Sequence, residues 1–380
     1  ARLLRPGHTL TGSYMASPWP TWGAGRWDKN PVTPLTPWMF YPGFVTVAAI
    51  EDGTKVTVTS STHTEEGAFE ADGGPDAGGS GALEPGEAAI VTLNRGDVLQ
   101  VYSQRPDSSA EIGYCKTMGW EQATAGTCPP KNISQTCDAQ CSVATADLTG
   151  TLVDADKPVA VFAGHACTYM PFNMPACDHM EEMMFPRESW GNSAVMTALV
   201  SPDGGNTVPS MYRVLAKENG TTLTFTPEVH AKVTLDAGKF VEFITVKDFV
   251  IDGTHPFYAT QAMLSQNALG TKAGDPSMGS GVPVFQSRGA YSFLTPSTYT
   301  SNYLNVVATT GTTVSLDDVA VSSWQPIAGT SYQVARLTLQ AGAHRAESQD
   351  ATGFAITSYG YAEYTSYLYP GGMNVENFVE

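Results

Sequence analysis

Three stretches of this chain share one grammar, and that repetition constrains the fold more than any other feature. "VTVAAIEDGTKVTVT" (45–59), "YRVLAKENGTTLTFT" (212–226) and "LNVVATTGTTVSLD" (304–317) each run from an apolar strand through Ala and a short polar turn, closed by Gly-Thr, into a second alternating strand. Glycine supplies the positive φ a tight turn needs, and period-2 patterning puts one face inward, so each stretch predicts a β-hairpin. A second landmark follows each copy: "LEPG" (83–86), "LDAG" (235–238) and "LQAG" (339–342). A third closes each unit: "VDADKPVAVFAGH", "VIDGTHPFYATQ" and "ESQDATGFAITSY". The expectation is an all-β chain of tandem, jelly-roll-like β-sandwich modules over 39–200, 201–285 and 286–380. Helix is expected to be scarce, with "DHMEEMM" (178–184) as the one candidate for a turn or two.

Composition agrees. Of 380 residues, 37 are Gly and 25 Pro, and 15% are charged, against about 25% in an average globular protein. The first 38 residues hold Trp19, Trp22, Trp27 and Trp38 among prolines. Proline blocks helix and removes ladder donors, so 1–38 is expected to be an extended arm. The arm's indoles pack against the body in the plainer reading; otherwise Trp19, Trp22 and Trp27 form a ligand platform for glycan, or the arm docks on a neighbouring copy. The first module carries two insertions: an acidic, glycine-rich loop at 64–82 and a cysteine-bearing one at roughly 115–145.

The net charge of −17 repels phosphate backbones, and no basic stripe offsets it, so nucleic acid is not an expected partner. No apolar run approaches the ~20 residues that span a bilayer. Ala1 opens the chain without a signal-type segment, as a mature or trimmed product would. No nucleophile elbow, zinc helix or phosphate loop is present, and acid pairs such as Asp317-Asp318 and Glu181-Glu182 are expected in any acidic chain. "DGGPDAGGSG" in the 64–82 loop resembles glycine–aspartate calcium turns without their nonapeptide period; apart from calcium there, no cofactor is expected.

The densest chemistry lies in "GHACTYMPFNMPACDHMEEMM" (164–184), where His165-x-Cys167 mirrors Cys177-x-His179. On strands, i and i+2 share a face, so His165, Cys167, Cys177 and His179 could converge as a Cys2His2 metal set for zinc or copper. The competing reading is a disulfide between Cys167 and Cys177 across nine residues, with the methionines as packing. The other four cysteines, Cys115, Cys128, Cys137 and Cys141, make an even total of six. In a low-charge β-rich chain this favours an oxidising compartment and disulfides, although pairing among the four is left open.

"DLTGTLVDADKPVAVFAGHACTYMPFNMPACDHMEEMMFPRESWG" (147–191), "GDPSMGSGVPVFQSRGAYSFLTPSTYTSNYLNVVA" (274–308) and "YGYAEYTSYLYPGGMN" (359–374) resemble blocks of the IgGFc-binding protein N-terminal domain family in its bacterial secreted or surface form. The resemblance spans about 40–375 and leaves 1–38 outside it. It implies an extracellular, disulfide-stabilised β-rich module and no recognised enzyme class. The functional expectation is a secreted, non-catalytic surface or matrix protein acting by adhesion or by self-assembly, through the arm or strand edges, with itself or an extracellular protein or glycan as partner. A glycan adhesin and a secreted copper or zinc protein centred on 165–179 stand as alternatives.

Overall fold

The computed structural model describes residues 7–29, 32–70, 78–105, 121–123, 136–142, 146–172, 174 and 176–374. The chain is nearly all β, as the patterning predicted. It divides into two compact units: Thr11–Asn173 with His179–Glu181, and Ala1–Leu10 with Met174–Asp178 and Glu182–Glu380.

In none of the three repeats do the two strands flanking the turn pair with each other as a hairpin. In the first, Gly43–Ala49 pairs with Val159–Thr168 and Val98–Tyr102, while Thr54–Thr59 pairs with Leu152–Ala155 and Ala88–Leu93. The two strands flanking the turn therefore enter different sheets. In the third, Ser301–Thr309 pairs with Tyr332–Thr338 and Ala355–Ala362, while Val314–Leu316 pairs with Gly342–Ser348 and Val319–Ala320. In the second, Ser210–Ala216 and Thr221–Thr226 take opposite ends of one long strand, Phe249–Met263. The turn glycines have the expected positive φ, at 63° for Gly53, 71° for Gly220 and 95° for Gly311. The first and third turns are thus crossovers between sheets, while the second joins two strands of one sheet that both pair with Phe249–Met263. In each repeat the first strand already has a neighbour on both edges, so the following strand has no edge to pair with.

Burial follows from those positions. Ser210–Ala216 is buried at every residue, and Ser301–Thr309 at all but its ends, as central strands between two packed faces should be. Tyr212, Val214, Leu223, Phe249 and Ile251 form one core, and Leu304, Val306, Ala335, Phe354 and Ile356 another. Asn305, fully buried in the second of these units, donates from Nδ2 to Thr197 Oγ1 and Ala198 O at 2.9 Å each, and Oδ1 accepts from Tyr359 OH at 2.9 Å. Every polar atom of that amide has a partner, which is what makes burying it affordable.

The segment expected as an arm is built into the sheets of the first unit. Ser13–Met15 pairs with Leu152–Ala155, and Trp22–Lys29 lies between Val32–Tyr41 and Thr136–Ser142. Tyr14 is fully buried, and its hydroxyl donates to Val159 O at 2.8 Å. Asp178–Met183, the candidate helix, is a strand at the edge of the sheet that holds Val159–Thr168. A seven-residue stretch offers too few hydrogen bonds to repay helix nucleation, and an open sheet edge satisfies its backbone instead.

Candidate functional site

The site develops from the Val159–Thr168 strand. Gly164 is required there: a Cβ at that position would lie 2.1 Å from Met180 O and 2.8 Å from Glu181 Cα. Its absence lets the Met180–Glu181 backbone pack directly against the strand at that point. The imidazole of His165 has no solvent exposure. Its Nδ1 accepts the Cys167 N–H at 3.1 Å, which places the proton on Nε2, facing Pro20 O at 3.1 Å. Burial, with a smaller contribution from the nearby His179, pushes the His165 pKa down to about 3, against the opposing effect of its backbone bonds. The ring is a neutral structural bracket.

Cys167 and Cys177 are joined in a disulfide, as the stapled-loop reading expected. The four residues of the metal alternative are therefore committed elsewhere. The sulfurs bond each other, both His165 nitrogens face backbone groups, and the half-exposed His179 meets Glu181 Oε2 at 3.1 Å while stacking on Phe44 at 5.8 Å. Among the described residues no group of three or more His, Cys, Asp or Glu is placed to hold a metal ion.

The tryptophans do not form an exposed platform. Trp19 and Trp22 are each 3% exposed. Trp22 Nε1 donates to Cys167 O, and its ring lies between Tyr41, stacked at 4.9 Å, and Tyr169 at 4.4 Å. Trp22 is thus the floor, and the half-buried Tyr41 and Tyr169 are its accessible rims. Trp27 is placed in the Trp22–Lys29 strand, with its side chain outside the described residues. Cys137 and Cys141 fall in the Thr136–Ser142 strand, and Cys115 and Cys128 lie outside the described residues.

The carboxylate pairs separate. Asp317 and Asp318, at φ 48° and 64°, make the two-residue turn between Val314–Leu316 and Val319–Ala320. Glu181 meets His179, and the buried Glu182 accepts from Ser280 Oγ at 3.4 Å. Sequence reading missed Tyr41 and Tyr169. Tyr169 sits two residues from Cys167 and could have been included, whereas nothing in the sequence joins Tyr41 to it.

The IgGFc binding protein family model matches residues 1–360. The chain belongs to that family. The match begins at residue 1, so it includes the 1–38 segment that the quoted blocks left out. A human protein named IgGFc-binding protein is 33% identical over 123 residues, which are 31% of this chain and 2% of that protein. This family member therefore aligns with a small part of a much longer relative. No solved structure matches the chain. No helix among the described residues is long and apolar enough to cross a membrane.

Proposed function

We propose that this chain is an extracellular module that works by binding or adhesion rather than by catalysis. The observation that carries the reading is the Cys167–Cys177 disulfide, set in the stretch that resembles the family most distinctively. Disulfides persist in oxidising compartments, and here the bond holds a loop beside a stacked aromatic group. Family membership over 1–360 supports the same reading. The partner inferred is an extracellular protein, since the human relative's name states that it binds IgG Fc. Tyr41 and Tyr169 supply the contact, being rigid amphipathic rings of the kind enriched in protein interfaces. Surface plasmon resonance with immobilised IgG Fc, followed by a panel of extracellular proteins and a glycan array, tests this. A protein ligand whose affinity falls at least tenfold in Tyr41→Ala or Tyr169→Ala supports it. Glycan hits alone would shift the proposal to an adhesin, and silence throughout would remove it.

Self-assembly is a second reading, favoured by the Ala290–Thr295 strand. That strand pairs with Gly342–Ser348 on one side and ends its sheet, and Leu294 on it is 64% exposed. Such an edge can accept a strand from another copy. The version in which residues 1–38 exchange between copies loses support, because their strands pair within the chain. Concentration-dependent mass by light scattering, abolished in Leu294→Lys, is the expected result; a constant monomer mass ends this reading.

A further inference from the structure

The turn of the second repeat reads Glu218-Asn219-Gly220-Thr221, and its last three residues form the acceptor triplet for N-linked glycan. Such triplets are common, and what singles this one out is how little the fold asks of its asparagine. The equivalent turn of the first repeat, Glu51-Asp52-Gly53-Thr54, supplies the comparison.

The two turns are braced alike. Gly96 N–H donates to Ala49 O at 2.9 Å in the first, and Gly238 N–H to Ala216 O at 3.0 Å in the second. Thr54 Oγ1 donates to Glu51 O at 2.8 Å, and Thr221 Oγ1 to Glu218 O at 2.7 Å. Asp52 Oδ1 accepts the Arg95 N–H at 3.0 Å, and Asn219 Oδ1 accepts the Ala237 N–H at 3.0 Å. The turn therefore requires only an oxygen at this position, and a carboxylate meets that requirement as well as an amide. Since Oδ1 is the atom turned to the backbone donor, Nδ2 is left over, and among the described residues it donates to none. Room for a bulky group is present. Glu218, Asn219, Gly220, Asp236 and Ala237 are all exposed, and a Cβ at Gly220 would have nothing within 4 Å.

We propose that Asn219 carries an N-linked oligosaccharide added on the secretory route, an inference that rests on the extracellular reading above. In the transfer, Nδ2 bonds to the anomeric carbon of an oligosaccharide held on a lipid diphosphate. The bond from that carbon to the diphosphate oxygen breaks, its electron pair leaving with the diphosphate, and one Nδ2 proton passes to a base of the transferring enzyme. Oδ1 takes no part in the new bond, so its contact with the Ala237 N–H survives. Thr221, whose hydroxyl the triplet requires, is fully buried in the folded chain, so transfer precedes closure of the turn.

The test expresses the full chain behind a secretion leader in cultured animal cells and maps peptides covering 212–226 by mass spectrometry, from cells and medium alike. Digestion with peptide-N-glycosidase in heavy-oxygen water leaves a labelled aspartate wherever an asparagine carried glycan. The expected result is label at position 219, lost in Asn219→Asp. Against wild type made with glycosylation inhibited, Asn219→Asp should leave the urea midpoint unchanged, whereas Asn219→Ala, which removes the acceptor of the Ala237 N–H, should lower it. An unlabelled Asn219 overturns the proposal, whether or not Asn132 of the other triplet, Asn132-Ile-Ser134, is labelled. So does a midpoint that Asn219→Asp lowers as far as Asn219→Ala does, since Nδ2 would then have a task in the fold. An unlabelled chain that is secreted removes the glycan and leaves the extracellular reading standing. A labelled chain retained in the cells does the reverse.

Discussion

Replacing His165 with asparagine should flatten the acid limb of the stability curve. In the folded chain this imidazole titrates near 3, from an ordinary value of 6.5. The folded state thus binds fewer protons than the unfolded state between those values, and stability rises with pH across that window. The contribution is fully present above pH 6.5 and is lost as pH falls toward 3. From pH 7.5 to pH 5 the loss is about 2 kcal/mol, reaching about 5 kcal/mol below pH 3. Asparagine keeps an acceptor near the Nδ1 position for the Cys167 N–H but has no proton to gain. Urea unfolding of oxidised protein at pH 7.5 and 5.0, followed by tryptophan fluorescence, measures the difference. The variant is expected to be less stable at pH 7.5, because Pro20 O loses its donor, and to lose about 2 kcal/mol less than wild type on acidification. Proton NMR of the His165 ring checks the cause directly. Parallel pH dependences, or a ring that titrates near 6.5, would refute the reasoning.

Other perturbations have equally definite outcomes. Breaking the Cys167–Cys177 bond by a double serine substitution should cost about 2–3 kcal/mol from loop-closure entropy, read as a lower urea midpoint under non-reducing conditions. Gly164→Ala should destabilise by about 3 kcal/mol or more, since its Cβ would meet Met180 O at 2.1 Å and only backbone movement relieves that; calorimetry checks it. Asn305→Ala should cost about 3 kcal/mol by leaving Thr197, Ala198 and Tyr359 short of partners, while Tyr359→Phe, which removes the bond to Asn305 and the acceptor of the Val200 N–H, should cost about 2 kcal/mol. Both are measurable as shifts in denaturant midpoint.

The sequence by itself determined the class, the turns and the staple. Alternation and threonine-rich strands specify β structure, and Gly53, Gly220 and Gly311 mark turns whose positive φ the structure bears out. Cys167 and Cys177 were legible as a pair because nine residues with prolines separate two sulfurs in an oxidising type of chain. Tertiary structure decided where each strand went. Alternation reports which face of a strand is buried and says nothing about what occupies its two edges. The edges of Gly43–Ala49 are filled by Val159–Thr168 and Val98–Tyr102, both distant in sequence, so an apparent hairpin became a crossover between sheets. The same limit hid the roles of individual side chains. His165 is identical in type to His179 and mirrors it in sequence, yet one is a buried bracket and the other is half exposed beside Glu181. Which of the two was enclosed depended on contacts that exist only once the sheets have formed, with Pro20 O facing one ring nitrogen of His165 and the Cys167 N–H the other.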